Sequence, residues 1–339
     1  MLFLRHDHFG PPSEALQLIE EPDPTPGPQQ VVIAVEATPV HYGDLKSIEG
    51  IAIMPDNFDQ QGDPKNTLPK IPGVEGIGHI ASVGTDVDLW KEGDRVFLPF
   101  VSGTWRDYLV ADAVALISAP KGDAAPLALL ANRLTAHLAL EDLIDVKPGQ
   151  WILQNMANSD VGLCIARLAK RRGVKTVNVV RRNQLISVVE EAGGDAVIVD
   201  GPDLAERVAK ATAGATLSIG FDGVGGDATM RIACCLMPGG KLINYGQISG
   251  EMCRISGPLM WYNNISLRGY YMGHNLLTRS SDDQRRIIDE VATLVAEDVL
   301  PSRIARRYPL QDFKKAVNHA AETGESRDGK VIFTPHSTQ

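Results

Sequence analysis

Short β-branched runs alternate with helical runs through the second half of the sequence, and this alternation restricts the fold more than any other feature. Helical patterns with an apolar face lie between most of the β-type runs. Strands that alternate with helices are typical of an α/β fold built on a doubly wound parallel sheet. The candidate strands are Trp151–Gln154, Thr176–Val180, Ala196–Val199, Leu217–Phe221, Lys241–Tyr245 and Ser266–Tyr271.

The connection after the first of these strands has the order strand, tight turn, helix. It reads Asn-Met-Ala-Asn-Ser-Asp-Val-Gly from Asn155 to Gly162. In a dinucleotide-binding βαβ unit, such a turn places the backbone amides of a helix N-terminus against a pyrophosphate. Asn158 and Ser159 can donate hydrogen bonds there. Asp160 stands where glycine is usual, and its charge should weaken phosphate binding unless the carboxylate points away. A βαβ unit without a nucleotide is the alternative.

The second strand ends in Arg181 and Arg182, where no acidic residue is present. An NAD-binding fold normally uses Asp or Glu at this point to bind the ribose 2′-hydroxyl. Two guanidinium groups can instead bind a 2′-phosphate in bidentate geometry. The strand end therefore favours NADPH over NADH, with a solvated basic start of a helix as the alternative.

The first part of the chain is rich in strand and turn signals. Gln30–Thr38, Ile77–Val83 and Arg95–Phe100 read as strands, and residues 52–70 read as a long polar surface loop. After about residue 276, a helix, a short strand, a helix and a final strand follow and are expected to return to this β-rich part. We therefore predict a catalytic domain formed by residues 1–125 and 276–339, with a cofactor domain at residues 126–275 inserted into it. A ligand cleft is expected between the two domains.

The net charge and the apolar runs of the chain limit the kinds of partner that it can bind. The formal net charge of -9 argues against nucleic-acid or membrane binding driven by bulk charge. No apolar run reaches membrane-spanning length, and Met1–Arg5 reads as a first strand, not as a signal peptide. We expect a cytoplasmic protein that acts on a small molecule, with no nucleic-acid or membrane partner.

The cysteines do not fit a catalytic zinc site. A zinc dehydrogenase needs a set of Cys, His and carboxylate ligands, and no cysteine precedes Cys164. His41 and His79 are isolated in the sequence and were expected to be surface or packing residues. We therefore predict no metal at the catalytic site. Hydride transfer would then use an acceptor activated by hydrogen bonds, such as a conjugated carbonyl.

Several motifs recur in a familiar order along nearly the whole chain, among them Gly73–Gly78, Gly93–Val96 and Gly239-Gly240. With these motifs the sequence resembles the zinc-free branch of the medium-chain dehydrogenase/reductase superfamily. Within that branch, Gly103–Arg106, Asn178–Arg181 and Leu267–Gly269 make it most similar to the 2-enoyl thioester reductases, with the quinone oxidoreductases as next neighbours. The resemblance implies a Rossmann cofactor domain inserted into a mainly β, GroES-like catalytic domain.

The resemblance also implies an NADPH-dependent reductase of activated C=C bonds and assigns its site residues. Trp105 would line the substrate pocket. The enoyl reductases carry a tyrosine that assists proton delivery, and here Ile51 and Ala52 stand in its place; Tyr42 is the best substitute, with simple packing as its alternative. The residues that would line the cofactor are Asn132, Asn158, Ser159, Val161, Arg181, Arg182, Tyr245, Gly246, Tyr270, Tyr271, Met272 and Lys330.

Two functions from different classes therefore stay open. The first is an NADPH-dependent, zinc-independent reductase whose acceptor is an enoyl thioester, an enone or a quinone. The second is a non-catalytic binding or regulatory protein on a reductase scaffold, with cofactor binding weakened by Asp160. The superfamily resemblance further implies a homodimer, formed through the region Leu259–Met272.

Overall fold

The computed structural model describes residues 1–51, 68–142, 145–322 and 329–336. The chain divides into two compact units, Met1–Leu130 with Ala292–Gln339, and Ala131–Val291. The predicted boundaries at residues 125 and 275 both lie N-terminal to the observed ones. Most of the predicted loop at 52–70 lies outside the described residues, as does Ala52. No helix in the described ranges is long and apolar enough to cross a membrane.

The first unit is mainly β. In its described part, β1 and β2 pair antiparallel, and seven other strands form a sheet of order β14-β15-β3-β4-β5-β7, in which β6 also pairs with β3. β14 and β15 run parallel, and the other pairings of this sheet are antiparallel. The strands are β1 (Leu2–His6), β2 (Leu16–Glu20), β3 (Gln30–Pro39), β4 (Ile77–Val83), β5 (Arg95–Phe97), β6 (Tyr108–Asp112), β7 (Ile117–Ser118), β14 (Ile304–Tyr308) and β15 (Lys330–Phe333).

Short helices accompany this sheet, and two clusters of buried side chains form its core. One cluster lies under β3, β4 and β6 and contains Val31, Ile33 and Ile80. The other gathers Trp105 and Phe333 with the apolar face of the last helix. The helices are α1 (Pro12–Ala15), α2 (Tyr42–Ile48), α3 (Ala124–Leu127) and α12 (Phe313–Ala321).

The second unit contains a six-stranded parallel sheet within the described ranges, in the order β10-β9-β8-β11-β12-β13. The strands are β8 (Trp151–Gln154), β9 (Lys175–Val180), β10 (Ala196–Val199), β11 (Leu217–Asp222), β12 (Lys241–Asn244) and β13 (Ser266–Gly269). The order reverses between β8 and β11, which is the point where ligands bind in such sheets. The predicted doubly wound parallel sheet is confirmed by the pairing of these strands. Its central strands β8, β9 and β11 are buried along nearly their whole length, as is usual for a parallel sheet covered on both faces.

Helices connect these strands and bury their apolar faces against the sheet. Gly220 lies on β11 beneath α8, where a Cβ would come within 2.9 Å of Ile232. The helices are α4 (Leu130–Asp142), α5 (Asp160–Arg171), α6 (Ile186–Glu191), α7 (Leu204–Ala211), α8 (Gly226–Ala233), α9 (Gly257–Trp261), α10 (Met272–Leu277) and α11 (Ser281–Ala296), the last of which ends within the first unit.

Candidate functional site

The turn between β8 and α5 is closed by Ser159 and Gly162. Ser159 is the N-cap of α5, and its Oγ accepts a hydrogen bond of 3.0 Å from the Gly162 amide. A Cβ at Gly162 would lie 2.7 Å from the carbonyl oxygens of both Met156 and Ala157. Glycine therefore lets the first turn of α5 sit directly on the loop. The amide end of the helix, with the partly buried Asn158 and the buried Val161 beside it, lies at the carboxyl end of β8.

Asp160 is the first residue of α5, and its carboxylate is bound by two residues of α4. Its Oδ2 accepts hydrogen bonds from Asn132 Nδ2 at 2.9 Å and from Arg133 Nη1 at 2.7 Å. The Arg133 side chain is 0% exposed. A buried guanidinium thus compensates the carboxylate, and the helix dipole also favours an acid in the first turn. The carboxylate that was expected to weaken phosphate binding is thus paired with a cation of the same unit.

Asp222 joins the carboxyl ends of three adjacent strands. It is fully buried. Its Oδ1 accepts a hydrogen bond from Asn155 Nδ2 at 2.6 Å and two from amides of the following turn, while its Oδ2 accepts one each from Thr229 and Asn244. Asn155 in turn accepts from the Gly223 amide at 2.8 Å. This satisfied network fixes the ends of β8, β11 and β12. Sequence reasoning missed it, although Asp before a glycine-rich turn at a strand end was a signal.

The end of β9 presents two unpaired cations. Arg181 is exposed and Arg182 partly buried. Neither guanidinium has a partner among the residues that the structure describes, and Arg182 Nε is a buried nitrogen without a hydrogen bond. The acid at the end of the neighbouring strand is Asp200, whose amide donates to Val180. Its carboxylate binds Arg231 through contacts of 2.7 and 2.5 Å and so is engaged elsewhere.

Tyrosines follow β12 and β13 at the same edge of the sheet. The hydroxyl oxygens of Tyr245 and Tyr270 are buried, and neither has a hydrogen bond of good geometry within the described ranges, although Ser159 is close enough to interact with the Tyr245 hydroxyl. Burial raises the pKa of both hydroxyls above the usual phenol range. Gly246 follows Tyr245, while Tyr271 is exposed and the buried Met272 begins α10. Parallel strands bring these residues to the edge at which α5 begins.

Tyr42 begins α2 in the first unit, next to a buried cluster of titratable groups. Lys46 Nζ lies 5.4 Å from the Tyr42 ring centroid. His41 Nε2 lies 2.7 Å from Glu75 Oε1, and the His41 amide donates to Asp44 Oδ2 at 2.9 Å. Burial raises the pKa of the Asp44 carboxyl to about 6, against the opposing effect of His41. The interpretation of His41 as an isolated residue was wrong, because its partner comes from another element.

Backbone contacts hold Glu75 in that position. Its carbonyl oxygen accepts hydrogen bonds of 2.9 Å from the hydroxyls of both Thr38 and Thr104. The adjacent Gly73 has φ +109°, and a Cβ there would lie 2.4 Å from Thr104 Oγ1. The sequence motif that contains Glu75 is thus fixed against β3. His79, also expected to be isolated, lies 3.4 Å from Glu36.

Two other predicted site residues of the first unit lie in packed surroundings. Trp105 is fully buried, donates its Nε1–H to the Pro39 carbonyl at 3.0 Å and packs edge-on against Phe333. A side chain with no exposed surface does not line an open pocket, so its placement favours a packing role. Lys330 begins β15, and its amide donates to the Arg303 carbonyl. Ile51 is half exposed.

Comparison with known proteins is consistent with this architecture. Residues 27–121 match the alcohol dehydrogenase GroES-like domain, and residues 161–293 match the family described as zinc-binding dehydrogenase. The chain is 30% identical over 343 residues to a mitochondrial enoyl-[acyl-carrier-protein] reductase of Caenorhabditis elegans, which covers 97% of this chain and 94% of the relative.

Solved structures have the same fold. A mutant form of the enoyl thioester reductase of Candida tropicalis superposes with a TM-score of 0.83 at 20% identity, over 98% of this chain and 99% of the other. The Escherichia coli quinone oxidoreductase complexed with NADPH gives 0.82 at 23% identity, over 99% and 100%. The chain belongs to the medium-chain dehydrogenase/reductase superfamily, close to enoyl reductases and quinone oxidoreductases, as its motifs predicted.

Proposed function

We propose that the protein is an NADPH-dependent reductase that adds hydride to the activated C=C bond of an α,β-unsaturated carbonyl compound. The relatives named above are enoyl and quinone reductases, one of them a complex with NADPH. The bound nicotinamide would supply the hydride, and the residues of this chain would bind the cofactor, orient the acceptor and deliver a proton. The pairing of Asp160 with Arg133 argues against a scaffold whose cofactor site is disabled.

The observation that carries the cofactor assignment is the pair of arginines at the end of β9, for which the described residues supply no partner. A 2′-phosphate offers three acceptor oxygens, which suit two planar guanidinium groups. An adenosine with a free 2′-hydroxyl would need an acid there, and the neighbouring Asp200 is already bound to Arg231. Arg181 and Arg182 would therefore distinguish NADPH from NADH.

The cofactor's pyrophosphate fits the start of α5. Because Gly162 has no side chain, the first turn of α5 can pack directly against the preceding loop, and Ser159 caps that turn. Nearby, the buried hydroxyls of Tyr245 and Tyr270 have donor capacity that the described residues do not use. These groups, with Asn158, Val161, Gly246, Tyr271, Met272 and Lys330, remain the proposed cofactor contacts, while Asn132 would act through Asp160.

Tyr42 is the proposed proton donor to the reduced acceptor. Its hydroxyl has no partner in the described part of the chain, and Lys46 lies over its ring. His41, which precedes Tyr42 in the chain, contacts the buried Glu75.

Hydride transfer is proposed not to involve zinc. His41 is bound to Glu75, no cysteine precedes Cys164, and a thiolate ligand for this region of the first unit is therefore lacking. A chelator should leave the rate unchanged. Loss of activity on chelation that zinc restores, in a protein that circular dichroism shows to stay folded throughout, would contradict this part of the proposal.

The decisive experiment titrates the purified protein with NADPH and with NADH, followed by nicotinamide fluorescence. We expect much tighter binding of NADPH, and the combined variant Arg181→Ala/Arg182→Ala should weaken NADPH while changing NADH little. The matched control is Arg167→Ala/Arg171→Ala on α5, which removes the same charge away from the strand end. Equal losses for both cofactors, or the same loss in the control, would contradict the assignment.

The acceptor is to be found by steady-state assays with enoyl thioesters, enones and quinones and NADPH as donor. The homodimer and the cytoplasmic location remain proposals as well. Sedimentation velocity would test the first, and a mass of one chain at all concentrations would contradict it. Imaging of the tagged full-length chain would test the second.

A further inference from the structure

A histidine and two glutamates meet between α4 and α11 of the second unit, among residues that the proposed cofactor site does not use. His137 and Glu141 lie four residues apart on α4, which places them on one helix face. His137 Nε2 is 3.3 Å from Glu141 Oε1 and 3.9 Å from Glu290 Oε2 of α11. One ligand atom from each of the three residues lies within 4.8 Å of the others.

The imidazole of His137 is unusual because it is buried without a hydrogen bond. Its residue exposure is 1%, and neither Nδ1 nor Nε2 has a hydrogen-bond partner in the described part of the chain. Buried polar side chains are nearly always satisfied, so an orphan ring aimed at two carboxylates points to a ligand.

We propose that His137, Glu141 and Glu290 form a binding site for a divalent cation of the zinc class. One imidazole nitrogen and two carboxylate oxygens are a ligand set that zinc accepts, with water completing the shell. Metal–ligand bonds of about 2.1 Å in a tetrahedral site separate ligands by roughly 3.4 Å. The observed 3.3 and 3.9 Å separations therefore need only small rotations of the two glutamates, which are 32% and 46% exposed.

Two arginines lie close to the glutamates, and a bound cation would have to displace them from the carboxylates. Arg172 Nη2 is 3.7 Å from Glu141, and Arg286 Nη1 is 3.8 Å from Glu290. Both separations exceed a hydrogen-bond length, and Arg172 is already satisfied by the Leu140 carbonyl at 2.8 Å. The cation would replace these loose contacts and tie α4 to α11. The proposal is independent of the cofactor assignment.

The experiment uses the full-length protein, freed of metal by chelation and dialysis and titrated with zinc chloride alone. Isothermal titration should show one site that depends on this cluster. At a hundredfold excess over Kd, zinc should raise Tm by about 5 °C or more. Cobalt substitution should give visible bands without a thiolate charge-transfer band, which would distinguish this cluster from a cysteine site.

The key variant is Glu290→Gln, because the side chain is partly exposed and the change keeps its shape. It should weaken zinc binding at least tenfold and remove the rise in Tm, as should His137→Gln where it folds. Glu297→Gln, an exposed change just beyond α11, is the matched control and should behave like the wild type. Binding and Tm shifts unchanged by Glu290→Gln, or no binding below millimolar zinc, would overturn the proposal.

Discussion

The ion pair between Arg133 and Asp160 gives the most demanding test of how this chain tolerates an acid at its phosphate turn. Arg133→Met removes the guanidinium while keeping a long apolar side chain, and Asp160→Gly supplies the glycine that related turns carry. The two single variants and the double variant form a thermodynamic cycle around one contact of 2.7 Å.

The effect on stability follows from burial. Arg133 is 0% exposed and Asp160 only 13%, so solvent screens the pair weakly. Removing one partner of a buried pair costs about 3–5 kcal/mol, whereas removing both is often nearly neutral. Arg133→Met and Asp160→Gly should therefore each destabilise by about 3 kcal/mol or more, and the double variant by less than their sum. Urea unfolding without cofactor measures these differences.

The effect on cofactor affinity separates the two single variants. A carboxylate about 6 Å from a phosphate, at an effective dielectric constant of about 20, costs about 3 kcal/mol, or ~100-fold in Kd. Arg133→Met should therefore weaken NADPH binding by on the order of 100-fold, because the charge of Asp160 is no longer compensated. Asp160→Gly should bind NADPH at least as tightly as the wild type, and the double variant should recover that affinity.

An exposed pair in the same unit serves as the control. Arg254 and Asp227 lie 2.8 Å apart but are 59% and 68% exposed, so solvent screens them and their stability losses should be nearly additive. Additive stability losses for Arg133 and Asp160, or an NADPH affinity that Arg133→Met leaves unchanged, would refute the compensation argument.

Three further outcomes are expected. Asp44→Asn should remove a loss of stability with rising pH: the pKa of the buried Asp44 carboxyl is about 6, above its ordinary value of 3.8, so the unfolding free energy of the wild type should fall by up to about 3 kcal/mol between pH 4 and 7 relative to that of the amide variant, and a difference between the two proteins that is the same at both pH values would contradict this. Tyr42→Phe should lower kcat by about 10²-fold or more with unchanged NADPH affinity, and an unchanged kcat would mean that Tyr42 has only a packing role. Gly162→Ala should destabilise by about 1–3 kcal/mol, since its Cβ meets two carbonyl oxygens, whereas Gly269→Ala, with no atom within 4 Å, should be close to neutral.

The sequence was sufficient for the elements of the second unit because its strands are apolar on both faces and its helices on one. Trp151–Gln154 and Ala196–Val199 were predicted with the observed bounds. The boundary near residue 276 was placed too early because α10 and most of α11 lie in the second unit. Periodicity identifies a helix but not the body on which it packs.

Most side-chain hydrogen-bond networks of the candidate site could not be predicted from the sequence. Asp222 binds Asn155 across 67 positions, and His41 binds Glu75 across 34. No local pattern marks such partners, since the pairing is created by the sheet that brings strand ends together. For Trp105, a motif predicted a place in the substrate pocket, and the structure adds that its ring packs in the core against Phe333, which no local pattern indicated.

Asp160 shows that the effect of replacing a motif glycine depends on residues outside the motif. Read in its turn alone, an acid at a phosphate-binding helix end is a defect of several kcal/mol. The compensating groups, Asn132 and Arg133, precede it by 28 and 27 positions on α4. The buried Arg133 would itself destabilise the fold without Asp160, because its charge would be unpaired. Each of the two residues therefore compensates the charge of the other. It follows that the two should be substituted together, and that restoring glycine alone should destabilise the fold even where it favours the cofactor.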